Sequence, residues 1–268
     1  MASSINSYGS LKAHHGHIYY EQEGNKSGHS VLFIHGLGGT TNTYQPLVSS
    51  LQDFNLVRFD WAGHGRSTLP QKTSIDSYVE DAEAIINHFS LKDITVIGHS
   101  LGCLVALTLA AKQPSLVSKL VLYGPIKAPP QPGRDGAKGR AESVRKGGMA
   151  AVADTVVGNA FAAQTLKERP EIVSFGRELL SRQNAEGYAL ACLSLAESRD
   201  PEWGAIKAKT TIVSGSEDKV STPALCKAIA EELGHTKVDL VTFEGVAHWH
   251  TLENAKESAE VLRKAVSS

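Results

Sequence analysis

The chain has 268 residues, with 27 lysines and arginines against 28 aspartates and glutamates. This length fits one large α/β domain, or a core with one insertion, and it is enough to bury a sizeable apolar core. Because the formal net charge is only -1, no overall field favours nucleic acid or an anionic membrane surface as a partner. We therefore expect a small-molecule partner.

Targeting and redox signals are weak. No apolar run approaches the length of a membrane span, and the first residues, Met1–Asn6, lack the basic and apolar regions of a signal peptide. The cysteines Cys103, Cys192 and Cys226 lie far apart and show no zinc-binding spacing. These features predict a cytoplasmic protein with no membrane segment, no disulfide framework and no metal.

The first structural element along the chain is a predicted β-hairpin. Residues Leu11–Glu23 alternate between apolar and polar side chains, with turn chemistry at Gly16. His14, His15 and His17 lie in this stretch and resemble a metal cluster by spacing alone. Because they belong to a hairpin, we expect them on its solvated face.

Buried strands and helices then alternate along the chain. Strands are predicted at Val31–Ile34, Leu56–Phe59, Ile94–Ile97, Lys119–Tyr123, Thr210–Val213 and Val238–Phe243. Helices are predicted at Ile75–Phe89, Leu101–Lys112, Pro223–Leu233 and Leu252–Val266. This alternation predicts a mostly parallel, doubly wound α/β sheet with its ligand crevice at the carboxyl ends of the strands.

The region after Tyr123 departs from this alternation. A Pro/Gly-rich segment, Pro129–Gly133, is followed by helix-like segments at Gly147–Val157 and Glu171–Ser181, with no convincing strand. We interpret this region as a helical insertion between two strands of the sheet. The predicted domains are a core of residues 1–125 and 203–268 and a helical cap of residues 126–202.

The stretch Gly98-His99-Ser100-Leu101-Gly102 joins a strand to a helix without a linker. The chain must therefore turn sharply at Ser100, and the two glycines let the strand and helix approach each other. This is the G-x-S-x-G pattern of a nucleophile elbow. The serine hydroxyl is exposed next to the first N–H groups of a helix, where developing negative charge is favoured. Ser100 is the predicted nucleophile.

A nucleophilic serine needs a base, and the base needs a carboxylate that fixes its tautomer. Asp218 follows the predicted strand Thr210–Val213, and His248 follows the predicted strand Val238–Phe243. The chain order Ser, Asp, His is that of α/β hydrolases and differs from the chymotrypsin and subtilisin orders. We predict that Asp218 orients His248 and that His248 activates Ser100.

Other residues compete for these roles. Glu217 is adjacent to Asp218, and Asp60 also lies at a strand end, where it more simply holds its own loop. His250 is two positions from His248, and its spacing on an extended turn does not exclude it as the base. We prefer Asp218 and His248.

The tetrahedral intermediate also needs preorganised donors for its oxyanion. Two backbone N–H groups are candidates for this role: that of Leu101, directly after the nucleophile, and that of Leu37. Leu37 lies in the segment His35-Gly36-Leu37-Gly38-Gly39, which follows a predicted strand and whose glycines leave the backbone unobstructed.

Together these motifs resemble the α/β-hydrolase superfamily over nearly the whole chain. Within the superfamily, the stretches Val144–Met149 and Asn184–Cys192 are similar to the helical cap of 3-oxoadipate enol-lactonases. The resemblance implies hydrolysis of an ester or lactone with a serine triad and without a cofactor. It also implies that Arg140 binds a substrate carboxylate, whereas Ala137 occupies the position where that family tends to carry a tryptophan.

The resemblance leaves other functions open. C–C hydrolases and cofactor-free perhydrolases use the same fold, whereas epoxide hydrolases and dehalogenases normally need an aspartate in place of Ser100. A small-molecule receptor with this fold and slow ligand turnover is the alternative from another class, and rate is what separates it from an enzyme. A catalytically dead scaffold does not fit an intact set of Ser, Asp and His.

Overall fold

The computed structural model describes residues 7–234 and 236–267, so Met1–Asn6, on which the signal-peptide prediction rests, lie outside the described residues. The strands are β1 (Ser7–Ala13), β2 (Gly16–Gly24), β3 (Ser30–Ile34), β4 (Asn55–Phe59), β5 (Ile94–His99), β6 (Val117–Tyr123), β7 (Lys209–Gly215) and β8 (Val238–Phe243). The α-helices are α1 (Gln45–Val48), α2 (Ile75–His88), α3 (Leu101–Lys112), α4 (Gln131–Gly147), α5 (Ala153–Ala160), α6 (Ala163–Glu168), α7 (Pro170–Ser181), α8 (Ala185–Glu197), α9 (Pro223–Glu232), α10 (His250–Glu253) and α11 (Ala255–Ser267). Short 3-10 turns lie at Thr41–Tyr44, Met149–Ala151 and Trp203–Ala205. In the described part of the chain, no helix has both the length and the apolar character that crossing a bilayer requires.

The eight strands form one sheet in the order β1-β2-β4-β3-β5-β6-β7-β8. Strand β2 pairs antiparallel with β1 and with β4, and the pairs from β4 through β8 are all parallel. The predicted hairpin and the predicted mostly parallel α/β-hydrolase sheet are both confirmed. Because the strands from β3 onward run in one direction, the loops after β5, β7 and β8 meet at the same edge of the sheet.

Helices cover both faces of the sheet, and the strand side chains alternate between two apolar clusters. In β3, Leu32 and Ile34 pack into the cluster beneath α2, α3 and α9, whereas Val31 and Phe33 pack into the cluster beneath α1 and α11. This period of two follows from the pleat of the strand. Helix α3 is buried on nearly every side, which explains why its sequence is apolar all round.

The chain between β6 and β7 is helical, from α4 to α8. Its buried side chains form a third apolar cluster, which includes Val144 of α4 and Leu180 of α7 together with Trp249 and Leu252 from the loop and helix after β8. Helices α4 and α8 pack against each other, and an ion pair of 2.6 Å joins Arg145 Nη2 to Glu186 Oε1. These helices therefore pack onto the end of the sheet where the loop after β8 lies.

One helix prediction in this region was wrong, and one helix was not predicted. Helix α4 begins inside the Pro/Gly-rich segment and continues through several glycines, because Ala137, Ala141 and Val144 bury one face of it. The predicted helix Gly147–Val157 is instead the end of α4, a 3-10 turn and the start of α5. Gly148 has a φ of +67°, a conformation that ends a helix.

The helix predicted at the C-terminal end of the chain was also wrong in its extent. The single helix predicted at Leu252–Val266 is two helices, α10 and α11, separated by Asn254, whose φ of -136° and ψ of 63° are not helical. The break leaves α10 as a short turn directly after the loop that follows β8.

Strand β5 and helix α3 approach each other closely around Ser100. A Cβ added to Gly98 would lie 2.7 Å from the Cα of Cys103, and one added to Gly102 would lie 2.3 Å from the carbonyl oxygen of Ile34 on β3. Because real Cβ atoms do not come this close to backbone atoms, the turn requires glycine at both positions.

We expect Gly102→Ala to destabilise the protein by about 3 kcal/mol, because the added methyl group would push α3 away from β3. Gly136→Ala in α4 is the matched control, since a Cβ there meets nothing within 4 Å. Helix propensity predicts that this control stabilises the fold by about 0.5–1 kcal/mol. Urea unfolding curves measure both changes, and a wild-type midpoint for Gly102→Ala would contradict the account of the turn.

Candidate active site

Ser100 lies between β5 and α3 with a φ of 52° and a ψ of -120°, a backbone conformation that non-glycine residues rarely adopt. Its N–H donates to the carbonyl of Tyr123 at 3.0 Å, and its side chain is only partly buried. The strained turn therefore holds the hydroxyl away from the sheet, at the start of α3.

The three side chains predicted from the sequence lie together. Oγ of Ser100 is 2.8 Å from Nε2 of His248, and Nδ1 of His248 is 2.8 Å from Oδ2 of Asp218. Since a carboxylate accepts, Nδ1 carries the proton and Nε2 is left to accept from the serine hydroxyl. The imidazole thus has the tautomer that a general base needs.

Asp218 is held by its own loop. Its Oδ1 accepts hydrogen bonds of 2.8 Å from the N–H groups of Val220 and Ser221. Burial alone raises the pKa of Asp218, but the hydrogen bond from His248, the charge of His248 and the Ser221 N–H outweigh burial and lower the pKa below its usual value. The carboxyl group is therefore ionised wherever the histidine works as a base.

The competing acids occupy other positions. Glu217 Oε2 accepts from the N–H of Ala163 at 3.2 Å, whereas Asp218 is the carboxylate bonded to His248. Asp60 accepts from the N–H groups of Thr41 and Arg66, at 2.7 Å and 2.9 Å, so it holds the loops around it as the sequence predicts. Burial raises the pKa of Asp60 to about 6.

Two further histidines lie beside the base. His99 Nε2 donates to the carbonyl of His248 at 2.8 Å, and burial, followed by the nearby His248, holds the pKa of His99 well below its usual range. His250 is fully buried with its ring 6.4 Å from that of His248, and burial lowers the pKa of His250 to about 4. Both rings are therefore uncharged at neutral pH, and neither adds positive charge beside the base.

Leu37 and Leu101, whose N–H groups are the predicted oxyanion donors, line the same cavity as Ser100. Leu101 is the first residue of α3, so its N–H has no acceptor within the helix. Leu37 is in the loop after β3, where Gly36 packs so closely that an added Cβ would lie 3.1 Å from Cβ of Ser100. The N–H of Gly38 donates to Nε2 of His64 at 3.3 Å, and this bond ties the loop after β3 to the loop after β4.

The cavity over Ser100 has a volume of about 380 Å³, within the usual range for small-molecule sites. Its walls are mainly apolar, and the helices between β6 and β7 supply most of them. The lining residues are Leu37, His99, Ser100, Leu101, Ile126, Arg140, Ala151, Val152, Thr155, Val156, Asn159, Ala160, Tyr188, Leu195, Val220, His248 and Trp249.

Among these lining residues, Arg140 is the one arginine, and none is a lysine. It lies near Tyr188. Burial raises the pKa of Tyr188 to about 12, and the positive charge of the Arg140 guanidinium opposes this rise. Arg145, on the same helix, instead pairs with Glu186 on α8. Ala137, where the enol-lactonase resemblance expects a tryptophan, is buried one turn before Arg140.

Sequence reasoning did not single out Glu253 or His64. His64 lies in the glycine-rich loop after β4, and its partner Gly38 is distant in the sequence. Glu253 is the last residue of α10, where it is buried and accepts hydrogen bonds from the N–H groups of Ala162 and Ala247. Neither contact has a local sequence signal.

One group of potential metal ligands occurs among residues 7–234 and 236–267. Ligand atoms of His14, His15 and Glu80 lie within 4.8 Å of one another on the hairpin surface. Nε2 of His15 and Oε2 of Glu80 are 3.1 Å apart, and His14 and Glu80 are exposed. His17 is also exposed, as predicted for a solvated hairpin face.

The mostly parallel sheet, the sharp turn at Ser100 and the loops after β7 and β8 are those of an α/β hydrolase. The model of the family described as serine aminopeptidase, S33 (Hydrolase_4), matches residues 25–255, and the chain belongs to this family. The 3-oxoadipate enol-lactonase 2 of Acinetobacter baylyi is 25% identical over 238 residues, which cover 88% of each chain. The protein is thus a hydrolase related to enol-lactonases and esterases.

Solved structures share the fold. The enol-lactonase from Burkholderia xenovorans LB400 superimposes with a TM-score of 0.90 at 22% identity and covers 97% of this chain and 100% of its own. A thermophilic esterase from Thermogutta terrifontis superimposes with a TM-score of 0.87 at 23% identity and covers 96% of this chain and 97% of its own.

Because burial lowers the pKa of His250 from its usual 6.5 to about 4, the unfolded chain binds a proton between these pH values that the folded chain does not. Stability should therefore rise as the pH increases from 4 to 6.5. The variant His250→Leu lacks this titrating group. The free energy of unfolding of wild type minus that of the variant should therefore increase by about 3 kcal/mol from pH 4 to 6.5. Urea unfolding at several pH values measures this difference. If the free energies of unfolding of the two proteins changed equally with pH, the prediction would be contradicted.

Proposed function

We propose that this protein is a cofactor-free serine hydrolase of carboxylic esters or lactones, similar in activity to 3-oxoadipate enol-lactonases. The observation that carries the proposal is the imidazole of His248, which lies 2.8 Å from both the Ser100 hydroxyl and the Asp218 carboxylate. This arrangement is what a serine needs to act as a nucleophile at neutral pH.

In the proposed reaction, Oγ of Ser100 attacks the carbonyl carbon while its proton moves to Nε2 of His248. The oxygen of the tetrahedral intermediate accepts hydrogen bonds from the N–H groups of Leu37 and Leu101. As the intermediate collapses, the alkoxide leaving group takes the proton from His248 and an acyl-enzyme remains. Water then attacks the acyl group and gives a proton to His248. As the second tetrahedral intermediate collapses, His248 returns this proton to Oγ of Ser100 and the acid is released.

We further propose that residues 126–202 act as a cap over a core of residues 1–125 and 203–268. The proposal is supported by the apolar cavity between these helices and Ser100, with Arg140 on its wall. A guanidinium on the wall of a mainly apolar pocket favours a substrate that carries a carboxylate at a distance from its ester carbonyl. A carboxylated lactone is therefore the preferred substrate class, and the A. baylyi enol-lactonase is the relative that suggests it.

The first test is Ser100→Ala, assayed with p-nitrophenyl esters and a panel of lactones that includes carboxylated enol-lactones. We expect activity to fall below a hundredth of the wild-type value with an unchanged fold, because the nucleophile is lost and little volume is removed. Ser143→Ala, at an exposed position of α4, is the control. A variant that retains a tenth of the activity would exclude Ser100 as the nucleophile. Very slow wild-type turnover of all substrates would favour the receptor alternative.

The second test compares Arg140→Ala with Arg145→Ala on the same helix. Arg140→Ala should lower kcat/KM for a carboxylated lactone at least tenfold more than for a neutral ester of similar size, or about 1.4 kcal/mol. Arg145→Ala should affect both substrates equally, because its side chain pairs with Glu186. Equal losses in Arg140→Ala for the two substrates would show that the pocket does not recognise a carboxylate through this residue.

A further inference from the structure

A short part of the helical region touches both loops that carry the triad. We call residues 160–169 the bridging segment. The carbonyl of Ala160 accepts from the N–H of His248 at 2.9 Å, and the N–H of Ala163 donates to Glu217, the residue before Asp218, at 3.2 Å. The bridging segment is therefore bonded directly to the backbone of the candidate base and to the loop of the candidate acid.

Glu253 is at the centre of these contacts. Its Oε2 accepts from the N–H of Ala162 at 2.8 Å and from the hydroxyl of Thr165 at 2.7 Å, both in the bridging segment. Its Oε1 accepts from the N–H of Ala247 at 2.9 Å, and Ala247 directly precedes His248. The carboxyl group thus joins the bridging segment to the loop that holds the base.

The surroundings of Glu253 favour this role over a solvated surface charge. The residue is 6% exposed, and its backbone carbonyl accepts from Nη1 of Arg169, at the end of the bridging segment, at 2.6 Å. Burial raises the pKa of Glu253, and the three donors oppose that rise. A buried carboxyl group with both oxygens bonded fixes the groups that donate to it.

We propose that Glu253 is a positioning residue of the hydrolase reaction, which holds the Ala247–His248 backbone against the bridging segment so that the imidazole stays aligned between Ser100 and Asp218. The proposal rests on the proposed function, since it gives His248 the role of base. It also means that the cap and the catalytic base move as one unit. A misplacement of about 1 Å at such a base costs up to about a hundredfold in rate.

The chemistry of the contact makes glutamine a sharp test. Two backbone N–H groups, from Ala162 and Ala247, approach different oxygens of the same carboxyl group. In Glu253→Gln one of these oxygens becomes an NH₂ group, which is a donor and cannot accept from either N–H. One side of the link must therefore open while the volume of the side chain is kept.

The experiment measures kcat and KM for p-nitrophenyl acetate in wild type, Glu253→Gln, Glu253→Asp and the control Glu260→Gln, at an exposed position of α11. Because this ester is small, we expect the cap to contribute little to its binding. We expect Glu253→Gln to lower kcat about tenfold or more with KM changed less than twofold. Glu253→Asp, which keeps both acceptors on a shorter side chain, should recover part of kcat. Glu260→Gln should behave as wild type.

A second readout does not depend on turnover. In proton NMR, the Nδ1–H of His248 that is bonded to Asp218 gives a downfield resonance, and this signal should shift or broaden in Glu253→Gln but not in Glu260→Gln. If wild type hydrolysed no ester, the proposed function would fail and the resonance would still test the positioning role. Wild-type kcat and an unchanged resonance in Glu253→Gln would overturn the proposal, even with a lower Tm. If that variant did not fold, the same two measurements on Glu253→Asp would decide.

Discussion

The left-handed backbone of Ser100 is the constraint on which the rest of the structure depends. A φ of 52° at a residue with a side chain is unfavourable, and it persists because β5 and α3 leave no other path between them. The close contact of Gly102 with the backbone of β3 fixes where α3 begins. Ser100 and Leu101 line the same cavity, so the proposed nucleophile and one proposed oxyanion donor depend on one turn.

The remaining groups reach Ser100 because parallel strands end at a common edge. Loops after β7 and β8 present Asp218 and His248, and the histidine is held both by the carboxylate and by the carbonyl of Ala160. Burial keeps the neighbouring rings of His99 and His250 uncharged. The site thus combines a charged carboxylate, an imidazole and mainly apolar walls, surroundings in which electrostatic interactions are stronger than in bulk water.

The sequence predicts the sheet well, because buried β-branched runs and glycine turns are local signals. It also predicts the close approach of Ser100, Asp218 and His248, since strand-end loops converge. Helix α4 was missed because Pro132 and its glycines have low helix propensity, and burial of Val144 against other helices outweighs that propensity. The partners of Glu253 could not be predicted, because Ala162 lies far from it in the sequence and packing alone joins them.

The central claim is that this turn makes Ser100 the nucleophile of an acyl-transfer site. A fluorophosphonate probe tests it most directly, because such probes react covalently with activated serines. After treatment of the native protein, mass spectrometry of its peptides should locate one adduct, on Ser100, and prior denaturation should abolish labelling. An adduct on a different serine, or continued ester hydrolysis by fully treated protein without any adduct on Ser100, would contradict the claim.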